Sequence, residues 1–64
     1  MKYYFYVSGV DPHRPIFDIV HALVVAGDII EAINFCRAEG AEPFSVRRWK
    51  EADKNIANGI IEIY

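Results

Sequence analysis

The chain has 64 residues, 53% of them hydrophobic, a formal net charge of -2 and a single cysteine. That length fits one domain, and one cysteine excludes an intrachain disulfide, which suits a reducing compartment. Two histidines and one cysteine without ligand spacing argue against a structural zinc site, so a dense apolar core must supply the stability.

The opening segment Lys2 to Ser8, KYYFYVS, is rich in strand-favouring residues. Alternation sets Tyr3, Phe5 and Val7 on one face and Lys2, Tyr4, Tyr6 and Ser8 on the other. One lysine and a short aromatic run do not make a signal peptide. No apolar run reaches the length of a membrane span. We therefore expect a soluble, cytoplasmic protein with no membrane partner. Gly9 to Pro15, GVDPHRP, has loop chemistry.

Ile16 to Ala26, IFDIVHALVVA, admits two readings. A helix would gather Ile16, Ile19, Val20, Leu23 and Val24 into a stripe behind Pro15. The β-branched content favours a strand over Ile16 to Val25. The following GDIIEAINFCRAEG decides for the strand, because it carries its own helix start. Asp28 is a cap, Glu31 stands three residues on, and Gly40 closes the helix. The helix's apolar face gathers Ile29, Ala32, Ile33 and Cys36, flanked by Ile30 and Phe35.

Pro43 to Lys50 reads as a third strand. Glu51 to Gly59 is polar and ends in the turn signal Asn58-Gly59. Ile60 to Tyr64, IIEIY, reads as the last strand. The expected fold is α+β in ββαββ order: a two-layer domain, residues 1–64, with one helix across one face of a mainly antiparallel sheet. The other sheet face is then open. Alternation places Tyr4, Tyr6, Arg47, Trp49 and Tyr64 on it, opposite Phe5, Val46 and Ile61.

The stretch FSVRRWK concentrates Arg47, Arg48 and Lys50 around the only tryptophan, Trp49. Three readings are open. The first is a charged edge strand that resists edge-to-edge pairing. The second is a contact surface for an acidic protein, with arginine meeting carboxylates and tryptophan as anchor. The third is single-stranded nucleic acid stacking on Tyr4, Tyr6 and Trp49. A sequence pI near 5.5 weighs against the third.

Enzyme chemistry has no specific signal. His13 falls in a proline-rich loop and His21 among apolar residues. Neither comes with a signalled nucleophile or orienting acid. Ser8 lies in VSGV, which is not a nucleophile elbow. Cys36 on the helix's inward face reads as an inert core thiol. Asp28 and Glu31 are accounted for by capping and the helix dipole. No cofactor is expected.

An aromatic strand, a second strand ending in VVAGDIIEAINFC, and then GAEPFSVRRWK together resemble the small phage-encoded inhibitors of bacterial RNA polymerase. The resemblance covers roughly Lys2 to Lys50. It matches Glu31 and Ala32 to the family's helix start, and Phe44, Val46, Arg48 and Lys50 to its arginine-bearing strand. It implies that positions 48 and 50 contact an acidic surface of the polymerase jaw. Lys50 departs from the family's arginine and loses the bidentate fork. Ser8 and Gly9 stand where the family has an acid, and the final strand GIIEIY is additional.

The expected function is a non-enzymatic protein-binding module: a phage-type inhibitor that blocks a host machine sterically. Its partner-binding residues are Arg47, Arg48, Trp49, Lys50, Tyr4, Tyr6 and Tyr64, and its partner is a host protein with an acidic surface. The alternatives are a single-stranded nucleic-acid-binding module using the same face, a structural homo-oligomer paired through open faces or final strands, and another anti-host protein such as an anti-CRISPR.

Overall fold

The computed structural model describes residues 1–13 and 18–64. Four strands and one helix follow in the order β1 (Tyr3–Val10), β2 (Ile19–Ala26), α1 (Ile29–Ala38), β3 (Glu42–Glu51) and β4 (Gly59–Ile63). The strands form one antiparallel sheet in the order β3-β1-β2-β4. The helix packs against it, so the expected two-layer ββαββ fold is the observed one.

The ambiguous second segment is a strand over Ile19–Ala26. Ile16 and Phe17, expected at its start, lie outside the described residues. The strand reading wins because β2 is central, flanked by β1 and β4, where β-branched side chains pack well.

β1 runs two residues further than expected, through Gly9 and Val10. Gly9 sits against β3 so closely that an added Cβ would lie 2.9 Å from the Glu42 carbonyl oxygen. Glycine here permits close approach of two backbones rather than a turn.

The helix starts as its sequence predicts. Asp28 Oδ1 accepts from the Glu31 amide at 2.8 Å, and Glu31 Oε1 accepts from the Gly27 amide at 3.2 Å. Gly40, with φ +89°, follows the Glu39 C-cap and donates its amide to the Arg37 carbonyl. That left-handed conformation suits glycine.

The core lies between α1 and the sheet. Phe5, Val7, Ala22, Val24 and Ala26 meet Ala32 and Cys36, with Tyr3, Phe35, Val46 and Ile60 around them. The three alanines leave room for the helix to approach the central strands.

Two details of the expected core change. Ile29 and Ile30 are exposed, while Phe35 packs on the core, so the buried stripe of α1 is rotated toward its C-terminal half. Ile61 does not face the core. β4 pairs Glu62 with Leu23 but Ile60 with Val24, so one residue is inserted and Ile60 takes the inward place.

β3 and β4 form opposite edges of the sheet, so the polar segment between them spans the sheet's width. It is tied down as it crosses. The Ala52 amide donates to the Lys2 carbonyl, and Lys2 Nζ donates to the Ile56 carbonyl. Asn58 Nδ2 donates to Glu31 Oε1 at 2.7 Å, joining the end of this segment to the helix cap.

Candidate interaction face

The face opposite α1 is built on Tyr4 and Tyr6 of β1. Tyr6 pairs with Arg47 of β3 on one side and with Leu23 of β2 on the other. Tyr4 pairs with Val25, which is fully buried although it lies away from the helix-side core.

A bulge shapes the basic side of this face. Tyr3 pairs with Glu51 and Phe5 with Arg48, so Tyr4 alone stands opposite two residues, Trp49 and Lys50. Both then point to the open side, which strict alternation forbids. The Trp49 ring lies 5.5 Å from Tyr4 and 5.4 Å from Tyr6, tilted against each. These are normal separations for interacting aromatic pairs. Lys50 Nζ lies 4.2 Å from the Trp49 centroid and 5.9 Å from that of Tyr4. Cations over aromatic faces at such distances are attracted by the ring quadrupole. Trp49 keeps 50% of its surface exposed, and Arg47 is exposed beside Tyr6.

Regular alternation sets Arg48 on the side opposite Arg47 and Trp49, and the bulge parts it from Lys50 as well. Arg48 is paired with Phe5, and its guanidinium lies 4.8 Å from the Tyr3 ring centre. Tyr3 packs against the helix-side core, and Arg48 helps line a cleft there with Tyr3, Phe5, Gly27, Asp28 and Ile29. Arg48 therefore does not belong to the surface formed by Arg47, Trp49 and Lys50. Strict alternation would put positions 48 and 50 on one side, and the extra residue puts them on opposite sides.

Tyr64 takes the open side at the far edge. Its backbone exchanges hydrogen bonds with His21, and its ring stacks on the imidazole at 5.8 Å. Ser8 Oγ lies 2.9 Å from His21 Nδ1. The Ser8–His21–Tyr64 group was not visible in the sequence, because the register that sets Ser8 opposite His21 depends on the β1–β2 connection. Ser8 is half-buried, and His21 and Tyr64 are exposed. His13 is exposed elsewhere, with its amide donating to Asp11 Oδ1 at 2.9 Å. Cys36 is buried, and burial pushes its thiol above the ordinary range.

The charge balance is divided by side. Arg47 and Lys50 lie on the open face, where Glu62 is set opposite Leu23. Asp28 and Glu31 cap the helix, Glu39 ends it, and Glu42 is paired with Arg37 at 3.1 Å. An acidic chain thereby presents a locally basic, aromatic surface. Among the described residues no group of three or more His, Cys, Asp or Glu could hold a metal ion, and no helix is long and apolar enough to cross a membrane. No family model, curated protein or solved structure matches the chain.

Proposed function

We propose that this protein is a non-enzymatic protein-binding module that docks through its open sheet face. The observation that carries this reading is the half-exposed Trp49, braced by Tyr4 and Tyr6 with Lys50 over its ring. Tryptophan, tyrosine and arginine dominate the energetics of protein interfaces. A braced indole gives up little side-chain freedom on binding. Arg47 and Lys50 select an acidic partner surface, and the mechanism is steric occlusion of what that surface serves. The phage-inhibitor resemblance names bacterial RNA polymerase as a target to test, although of its two matched contact positions only Lys50, and not Arg48, lies on the docking face.

Nucleic acid fits the face less well. Base stacking needs a bare ring face. Lys50 already lies over the indole, and the two tyrosines are tilted against it.

The test uses Trp49 itself, since it is the only tryptophan. Its fluorescence is followed while the protein is titrated separately with a polyglutamate, a single-stranded oligothymidylate and bacterial RNA polymerase under selective labelling of Trp49. Saturable changes with an acidic protein surface, and none with the oligonucleotide at low salt, are the expected result. Saturable oligonucleotide binding with a steep salt dependence, without protein binding, would overturn the reading.

A further inference from the structure

The two edges of the sheet are treated differently. β3 carries Glu42, Arg47, Arg48, Lys50 and Glu51, a proline at position 43, and two irregularities in its pairing with β1. Charges, proline and bulges are the devices that keep an edge from recruiting another strand. β4, Gly59–Ile63, has Glu62 as its one charged residue, no proline, and a single irregularity, at Ile61, in its pairing with β2.

The less charged edge is also apolar. Ile61, Ile63 and Tyr64 are 49%, 56% and 59% exposed. Ile19 on β2 is exposed as well, just beyond the reach of β4's pairing. On the helix side, Ile60 and Ile63 line one end of an apolar niche that crosses under the end of α1, past Val20, Ala22 and Cys36, to Pro43 of β3. Tyr64 exchanges both backbone hydrogen bonds with His21, at 2.7 and 3.0 Å. In an antiparallel ladder the next residue points its backbone groups the other way, so the N–H and C=O of Ile63 face outward.

We infer that β4 is a self-pairing edge, through which two copies of this chain join antiparallel into one sheet of twice the width. The occupant must be a charge-poor, apolar strand, because this edge offers no cation and a single carboxylate to a charged one. β4 is such a strand. A two-fold pairing matches it to itself, and a register centred on Ile61 or Ile63 sets each Glu62 against Ile60 or Tyr64 of the other copy, with the two carboxylates diagonal rather than directly opposed. The partner's isoleucines then meet Ile60 and Ile63 at the β4 end of the niche. A chain of this length gains from such association, because alone it buries a smaller share of its surface than a larger domain does. The two-fold axis stands perpendicular to the sheet. Both helices fall on one side and both open faces on the other, side by side. The pairing uses none of the docking residues Arg47, Trp49 or Lys50, so it stands or falls independently of the proposed function.

Sedimentation velocity across a wide concentration range tests it on the full chain. Twice the chain mass, falling to the chain mass on dilution, is expected. Ile61→Lys and Ile63→Lys should each abolish the dimer at concentrations where the unaltered protein is paired, while Phe44→Lys on the other edge leaves it intact. Ile63 also lines the niche, so its lysine variant could unfold for other reasons. A synthetic chain with the Ile63 amide N-methylated removes one outward donor and keeps every side chain, and it too should be monomeric with a folded circular dichroism spectrum. A monomer at all concentrations overturns the inference. So does a dimer that survives N-methylation, or one that is lost in Trp49→Ala but not in Ile61→Lys.

Discussion

Lys50 holds its ammonium 4.2 Å from the centre of the Trp49 indole although the two are adjacent in the chain. Neighbours in a regular strand point to opposite faces. They share a face here because a bulge sets both against Tyr4. This pair is the centre of the open face, and several expectations follow from its surroundings.

Trp49 is half exposed with a cation beside it. Acrylamide should quench its fluorescence readily, and iodide should quench it more strongly than caesium, because the ammonium concentrates anions. In Lys50→Gln the iodide preference should shrink, and added salt should shrink it in the unaltered protein. Equal quenching by both ions, unaffected by Lys50, would place the ammonium elsewhere.

Arg47 and Arg48 follow regular alternation and lie on opposite sides of the sheet. Arg47→Glu should weaken binding to an acidic partner surface by roughly tenfold or more, mostly through slower association. Trp49→Ala should cost about 2 kcal/mol of binding as loss of a central anchor. Arg48→Glu should leave that affinity nearly unchanged. Surface plasmon resonance with the three variants separates these effects. Equal losses at positions 47 and 48 would contradict docking by the open face.

Asp28 and Glu31 hold the start of α1, and Glu31 also accepts from Asn58. Asp28→Ala should destabilise the fold by about 1 kcal/mol, lowering the thermal midpoint by roughly 4–8 °C for a domain of this size. Glu31→Ala should also loosen the segment before β4. Hydrogen exchange of the Gly27 and Ile56–Gly59 amides would report it.

Gly9 has no room for a side chain against the Glu42 carbonyl. Gly9→Ala must push β1 and β3 apart, and a cost of about 1–3 kcal/mol is expected from overpacking. Urea unfolding of Gly9→Ala beside Gly27→Ala, which meets only an ordinary contact, makes the comparison.

Burial raises the Cys36 thiol, so the fold favours its protonated form. The associated stability is fully present below the unfolded thiol value of about 8.5 and is lost as pH rises through the higher folded value. Cys36→Ala should remove this part of the alkaline destabilisation. Cys36 should react with thiol reagents at neutral pH only as fast as the core opens.

Much of the fold was legible in local chemistry. Asp28, Glu31 and Gly40 announced the helix, because caps satisfy backbone groups within a few residues of themselves. The alternation of Tyr4 and Tyr6 against Phe5 and Val7 placed the open and buried faces of β1 correctly, since β1 is central and its neighbours pair with it along its length. The strand nature of β2 was decided by the helix start that follows it.

Tertiary structure decided what pairing alone can set. The sequence by itself determined one helix, four strands, an aromatic face and a basic cluster. It could not reveal the extra residues at Trp49–Lys50 and Ile61, because a bulge arises from the misfit between two strands and leaves no mark in either one. The insertion in β3 brought Lys50 onto Trp49 and away from Arg48, which regular alternation already sets on the helix side, and the insertion in β4 exchanged Ile61 for Ile60 in the core. Period-two alternation carries side information only while the register holds, and one inserted residue reverses it for everything beyond.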